Sequence, residues 1–326
     1  MSHKEPLYWA AGPEHARSAK RMRASGINAY GKPETLVPLE MPLPNATEHD
    51  VYIRVKAAGV GIWDAKMRAG EFGKHEMPLV LGVEVAGVVD RVGAKVERFH
   101  AGDDVFVYLS KPGGYAEFVA EHEQFVSHMP LTLNYVRAAA LPVAGITADT
   151  AIADGLNLTD ADKIVIAGAA GGVGTIAVQM AKAAGAYVIG TGSAENEEYV
   201  RSLGADEYVD YTKGDAAAQI RARYPDGVDC AIDAVGGPNV ENTVRSVKPS
   251  GKIVELTGHD PKGNPSIEVI HFGAKPSGSR LDKVASLVDS GKVKVEIART
   301  FPLAQAKEAH ELVEQRHVRG KLVLTI

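Results

Sequence analysis

The stretch from Lys163 to Ser193, KIVIAGAAGGVGTIAVQMAKAAGAYVIGTGS, decides how the rest of the chain is read. It opens with a short apolar run ending in glycine, the pattern of a buried strand. A glycine-rich turn follows, then the alanine- and valine-rich run VGTIAVQMAKAAG, then a second apolar run, YVIGTG. Strand, turn, helix and strand in that order make one right-handed crossover unit of a parallel sheet. The turn, Ala169-Ala170-Gly171-Gly172-Val173-Gly174, is an A-x-G-x-x-G variant of the dinucleotide fingerprint. Gly171 lets the backbone approach a pyrophosphate, Gly174 lets the helix pack on the strand, and the helix N-terminus near Gly172 aims N–H groups at the phosphates. A glycine turn serving only helix packing is the alternative; the strand, helix and second strand around it are the context the fingerprint requires.

The end of the second strand discriminates between the two nicotinamide cofactors. An acid there binds the free ribose 2′-hydroxyl and repels a 2′-phosphate. Here Gly192 and Ser193 stand at that place, in IGTGSAENEE, leaving room for a phosphate and offering a hydroxyl. Tyr211, at the end of the next strand in YVDYT, offers another. No Arg or Lys follows closely, and Glu195 has the wrong sign for a phosphate. The balance favours NADP(H).

Beyond this unit the alternation continues through NEEYVRSLGAD, EYVDY, CAIDAVGG, VENTVRSVKPSG and KIVELTG. Val235 and Gly236 end one strand and Thr257 the next, at the carboxyl ends where parallel sheets bind ligands. His259 and His271 lie in or beside GHDPKGNPSIEVIHFGAK, a loop placed to cover a cofactor, although a lone loop histidine is more often solvated. Upstream, from Met22 to about Ala120, short β-rich runs such as DVYIRVKAAGV and VEVAGVVDRVG predict an antiparallel, barrel-like domain. Downstream, RLDKVASLVDSGK, ARTFPLAQAKEAHELVEQ and GKLVLTI return to mixed α and β.

At 326 residues the chain has room for two domains of ordinary size. Its 36 basic and 41 acidic residues, with 45% hydrophobic and 24% charged, give no global attraction to nucleic acid or to an anionic membrane, which leaves a small-molecule role. The single cysteine, Cys230, excludes an intramolecular disulfide and a cysteine-rich zinc lobe, and fits a reducing cytoplasm. No apolar run reaches transmembrane length, and residues 1–21 lack the apolar core of a secretion signal and read as a loose extension.

The blocks AAGVGIWDAKMRAG, PLVLGVEVAGVVDRVGAKVERFHAGDDVF, AAALPVAGITADTAI, AGAAGGVGTIAVQMAKAAGA, RSLGADEYVDY and RGKLVLTI together resemble the medium-chain dehydrogenase/reductase superfamily, from Met22 to Ile326. The resemblance implies a GroES-like β-rich catalytic domain over 22–143 and 277–326 and a Rossmann doubly wound domain over 144–276. Zinc-dependent members place a Cys just after the AAG-x turn and a His in a G-H-E triplet. Gly61 and Val83 stand at those positions here and carry no ligand atom. The second zinc lobe is replaced by YLSKPGGYAEF. No zinc is therefore expected, and the chain is similar to the zinc-independent, zeta-crystallin-like quinone oxidoreductases and their enone and enoyl reductase relatives. That branch implies hydride donation from NADPH to a quinone or an α,β-unsaturated carbonyl. Such acceptors are already polarised by conjugation, so the protein has to orient two rings and stabilise a developing oxyanion.

The same resemblance points to GIWDAKMRAGEF as the substrate-facing segment. Trp63 is either an aromatic wall for a planar substrate or ordinary core filling. Asp64 matches a position given to structural hydrogen bonding. Lys66 either polarises a carbonyl or is a solvated lysine. Phe72 stands where enoyl-thioester reductases of mitochondrial type carry a Tyr, and a phenyl ring donates no proton. Gly61 stands where quinone reductases commonly carry Asn, leaving the oxyanion partner unidentified. Thr147 matches a position near the nicotinamide carboxamide. Lys321 matches a basic residue that contacts the pyrophosphate in zinc relatives, or is a surface lysine. The expectation is a cytoplasmic, zinc-independent NADPH-dependent quinone or enone oxidoreductase. Its alternatives are an enoyl-thioester reductase and a catalytically idle NADPH-binding protein. The resemblance also implies a homodimer or dimer of dimers, formed by edge pairing through SIEVIHFGA.

Overall fold

The computed structural model describes residues 21–261 and 266–326. The extension expected over residues 1–21 lies outside them except for Arg21, which already pairs with Pro42 and so belongs to the first strand. Residues 262–265 of the expected covering loop also lie outside.

The first half of the chain runs β1 (Arg21–Ile27), β2 (Leu36–Pro42), β3 (Asp50–Val60), α1 (Ile62–Ala69), β4 (Leu79–Val80), β5 (Glu84–Val92), β6 (Asp104–Tyr108), β7 (Phe118–His122), β8 (Val126–His128), α2 (Tyr135–Ala139) and α3 (Pro142–Asp149). It continues with β9 (Lys163–Ala167), α4 (Gly174–Ala183), β10 (Tyr187–Gly192), α5 (Glu197–Ser202), β11 (Glu207–Asp210), α6 (Ala216–Arg223), β12 (Val228–Asp233), α7 (Val240–Ser246), β13 (Val247–Glu255) and β14 (Glu268–His271). The last part is α8 (Gly278–Asp289), β15 (Ile297–Pro302), α9 (Ala306–Glu314) and β16 (Lys321–Thr325).

β9 to β14 form a six-stranded sheet in the order β11-β10-β9-β12-β13-β14. Every pairing in it is parallel. Counted from β9 this is the 3-2-1-4-5-6 order, whose direction reverses beside β9 and opens a crevice there at the carboxyl ends of the strands. The apolar character of α4 has a packing cause. Gly174 to Ala181 are all buried, because the helix is covered by the sheet on one side and by α3 on the other. Among the described residues β14 pairs with β13 alone, so SIEVIHFGA supplies the open edge of this sheet.

The β-rich domain is built around β3, which pairs antiparallel with β5, β7 and β16. Its Gly59 has to lack a side chain, since a Cβ would stand 2.5 Å from Glu84 Oε1. β16 returns the chain end to this domain, with Leu322 opposite Val60. On the way in, the Gly320 N–H donates to the Ala170 carbonyl at 3.0 Å. The terminal strand therefore starts at the glycine turn of the other domain, and this contact sets the candidate site.

Candidate functional site

The turn after β9 separates the roles of its glycines. A Cβ on Gly174 would fall 2.1 Å from the Gly168 carbonyl oxygen, so this glycine is spent on seating α4 against the strand. A Cβ on Gly171 would meet only that same oxygen, at 3.3 Å, and otherwise projects into open space. That open cradle beside the N-terminus of α4 fits a pyrophosphate. Gly172 is covered, because the Lys321 Cδ lies 2.9 Å from where its Cβ would be. Ala170 is buried, and Val173 is half-buried at the helix start.

Lys321 brings the second domain to this turn. The structure turns its ammonium to Glu84, a buried carboxylate at the start of β5, while its aliphatic stem covers Gly172. The other Glu84 oxygen, Oε2, accepts the Val143 N–H at 2.9 Å. The expected pyrophosphate lysine thus meets the cofactor side as half of a buried ion pair. Gly61 adjoins the pair, its hypothetical Cβ 3.7 Å from Lys321 Nζ and 3.8 Å from Asp64 Oδ2. Asp64 Oδ2 accepts the Gly61 N–H at 2.9 Å, whereas Oδ1 is buried with no hydrogen-bond partner among the described residues. Burial pushes the Asp64 carboxyl up to about 7, and the nearby Glu84 charge adds to this against the opposing Gly61 N–H and Lys321.

On the outer side of α1, Trp63 and Phe72 stack with ring centroids 4.8 Å apart, and at 41% and 39% exposure they are an open aromatic face instead of core filling. Lys66 lies 5.7 Å from the Trp63 ring and lines a groove with Ile62, Glu71, Glu314 and Arg316. Thr147 is half-buried on α3, its hydroxyl donating to the Val143 carbonyl at 2.6 Å. Val235, Gly236 and Thr257 do lie at the carboxyl ends of β12 and β13. Their conformation is held by two buried acids that the sequence reading passed over. Asp233 Oδ1 accepts the N–H groups of Val235 at 2.9 Å and Gly236 at 2.7 Å. Glu255 accepts the Thr257 N–H at 2.8 Å on Oε1, and those of Gly258 at 2.7 Å and His259 at 3.0 Å on Oε2. An acid closing an apolar strand just before a glycine, as in IDAVG and VELTG, was the available signal.

These staples carry a prediction. Glu255→Gln exchanges an acceptor oxygen for an amide facing N–H donors. It is expected to lower unfolding free energy by about 3 kcal/mol, on the scale of losing charged hydrogen bonds and stranding their donors. Urea unfolding with far-ultraviolet dichroism measures this, and a loss below about 0.5 kcal/mol, the scale of an ordinary surface change, would remove the stapling role.

At the end of β10 the space over Gly192 is taken by the Tyr208 hydroxyl, 2.3 Å from a hypothetical Cβ, so this glycine makes room for a tyrosine and not directly for a ligand. Tyr208 in turn donates to the Ser193 carbonyl at 2.6 Å. Ser193 is half-buried and Tyr211 is exposed at the rim. Among the described residues no group of three or more His, Cys, Asp or Glu side chains is arranged to hold a metal ion. None of the described helices is long and apolar enough to cross a membrane.

Two family profiles match the chain: an alcohol dehydrogenase GroES-like domain over residues 47–163 and a zinc-binding dehydrogenase over residues 203–324. The zebrafish (Danio rerio) mitochondrial NAD(P)H oxidoreductase RTN4IP1 is 34% identical over 94% of this chain and 91% of its own length. The chloroplastic NADPH-dependent alkenal/one oxidoreductase of Arabidopsis thaliana is 34% identical over 94% of this chain and 80% of its own. Among solved structures, Escherichia coli quinone oxidoreductase complexed with NADPH superposes with a TM-score of 0.86 at 27% identity, covering 93% of this chain and all of that one.

Proposed function

The chain belongs to the medium-chain dehydrogenase/reductase superfamily, with quinone and alkenal oxidoreductases as its relatives, and from that premise we propose that it moves hydride from NADPH to a quinone or an α,β-unsaturated carbonyl without zinc. One observation carries the reading. Lys321 links the glycine turn to Gly61, its stem over Gly172 beside the open Gly171 cradle and its ammonium 3.7 Å from a hypothetical Gly61 Cβ, a position that gives a carbonyl acceptor room and offers no metal ligand. The profile named for zinc binding spans residues 203–324 and includes neither Gly61 nor Val83.

NADPH, when bound, supplies the hydride. The chain's own residues bind, orient and exclude water. The Gly171 cradle and the α4 N-terminus would hold the diphosphate, and the loops fixed by Asp233 and Glu255 would line the rest of the cofactor at the strand ends. Thr147 would face the nicotinamide carboxamide, as its matching family position implies. Trp63 and Phe72 give a planar acceptor an aromatic face to lie against. The buried Lys321–Glu84 pair beside Gly61 keeps a positive charge near the reacting carbonyl without leaving it uncompensated. Phe72 has no proton to donate, which disfavours the enoyl-thioester alternative.

The reading also includes a homodimer formed through the open β14 edge, which light scattering at the mass of a single chain would remove. For the activity, NADPH absorbance is followed with a simple benzoquinone and with a small enone, in a strong chelator and after metal analysis. Chelator-resistant oxidation of NADPH is the expected result. Loss of turnover on metal removal, or tight NADPH binding with no turnover on any conjugated acceptor, would overturn it.

A further inference from the structure

We propose that Arg319, from the segment leading into β16, is the cation that reads the 2′-phosphate of NADP(H). The inference rests on the NADPH reading above and names the residue that the cofactor choice depends on. The end of β10 carries a serine where an NAD-selective site needs an acid, and the cations that follow it in sequence are already engaged. Arg201 pairs with Glu197 at 3.0 Å, and Lys213 stands 3.5 Å from Asp210. Arg319 arrives from the far end of the chain and, among the described residues, is held by neutral acceptors. Its Nε donates to Asn196 Oδ1 at 3.0 Å and its Nη2 to the Glu195 carbonyl at 3.0 Å, with the guanidinium 5.0 Å over the Tyr199 ring. Asn196 then donates from Nδ2 to the Ser193 hydroxyl oxygen at 3.0 Å. Serine, asparagine and arginine form one connected row at the strand end; among the described residues no carboxylate forms an ion pair with the arginine, which keeps unused N–H donors for a planar, bidentate contact.

The anchoring is specific. Gly320, the next residue, has φ +74° and a hypothetical Cβ only 2.5 Å from the Glu296 carbonyl oxygen, and its N–H is bonded to Ala170 in the phosphate turn. Lys321 follows with its stem over Gly172. Three consecutive residues of one strand entry therefore touch both places an NADP(H) adenosine half has to reach, the pyrophosphate turn and the ribose end of β10. Glu195 opposes the arrangement, since the Ser193 hydroxyl donates to its Oε1 at 3.2 Å. Its side chain is exposed and can turn to solvent when a phosphate takes the hydroxyl.

The test uses 2′,5′-ADP and 5′-AMP, which lack the nicotinamide and differ by the 2′-phosphate alone, titrated calorimetrically into the full chain. The wild-type protein is expected to prefer 2′,5′-ADP. Arg319→Ala is expected to weaken that probe by about 10- to 100-fold, on the scale of a charge-assisted contact, with less than about a twofold change for 5′-AMP. Arg319→Lys recovers part of the loss, and Glu195→Gln tightens 2′,5′-ADP only. The 5′-AMP titration shows that each variant is folded and competent. A preference that survives in Arg319→Ala, or an equal loss for both probes, overturns the role of Arg319 and leaves the NADPH reading standing. No preference in the wild-type protein overturns the NADPH reading, and this inference with it.

Discussion

Gly171→Val is expected to weaken NADPH binding by at least about 100-fold, the scale of losing two or more charged hydrogen bonds, and to take turnover down with it. Gly174→Val, three residues on, is expected to act on the fold instead, lowering the thermal unfolding midpoint. The two differ in what the new carbon meets. At Gly171 it approaches a single carbonyl oxygen at 3.3 Å and points into the cradle, so the fold tolerates it while the valine methyls occupy the approach of the pyrophosphate. At Gly174 it would lie 2.1 Å from the Gly168 carbonyl oxygen and 2.9 Å from the Ala169 Cα, backbone that cannot rotate away. Relief would require lifting α4 from β9, and α4 is buried along nearly its whole length. Overpacking of this kind costs about 1–3 kcal/mol or more, against a total stability of only about 5–15 kcal/mol. Thermal unfolding and NADPH fluorescence titration on both variants decide the matter. Wild-type affinity in a folded Gly171→Val protein would remove the turn from the cofactor site. A Gly174→Val protein with an unchanged midpoint would remove its packing role.

The glycine turn was legible because everything it needs is adjacent in sequence: strand, turn and helix lie within thirty-one residues from Lys163 to Ser193. The substrate-side chemistry is not local. Glu84 and Lys321 meet across 237 residues, and neither residue's neighbours announce a buried partner. The expectation of either a pyrophosphate contact or a surface lysine at Lys321 leaves out the buried Glu84 that its ammonium meets, while its stem does lie over the glycine turn at Gly172. The same limit applies to Gly192, where an absent side chain was read as space for a ligand and the Tyr208 hydroxyl fills it. Arg319 shows the limit most sharply, because no cation follows Ser193 closely in sequence and the arginine that reaches its neighbour Asn196 is 123 positions away. Asp233 and Glu255 are the opposite case: the acid-before-glycine pattern is local and visible in the sequence, and its meaning lies in satisfying the backbone N–H groups of the strand-end turn and not in a ligand contact.

Asp64→Asn is expected to change how stability depends on pH more than any other single substitution in this site. The wild-type carboxyl is raised to about 7 because it is buried, with the Glu84 carboxylate nearby, while the Gly61 N–H, Lys321 and Tyr115 pull the other way. The groups facing it thus come from its own helix entry, from β5, from β16 and from the turn before β7. A carboxyl raised in the folded state holds its proton more tightly there than in the unfolded chain. Its contribution is therefore most favourable below the unfolded value near 4 and declines as pH rises toward the folded value, reaching a penalty of at most about 4 kcal/mol above it. Asparagine keeps an acceptor for the Gly61 N–H and cannot ionise. The variant should accordingly match the wild-type protein near pH 4 and exceed it increasingly up to about pH 7, by up to about 4 kcal/mol. The functional counterpart follows from the same cluster. An ionised Asp64 places a second negative charge beside Glu84 and draws the Lys321 field away from the cofactor, so wild-type NADPH affinity should fall across neutral pH relative to that of the variant, the ligand's own phosphate titration being common to both. Paired urea unfolding and NADPH titrations at several pH values test both halves. A constant wild-type-to-variant difference from pH 4 to 8 would mean that Asp64 does not change charge in this range, and that its unpartnered oxygen is accommodated by some means other than protonation.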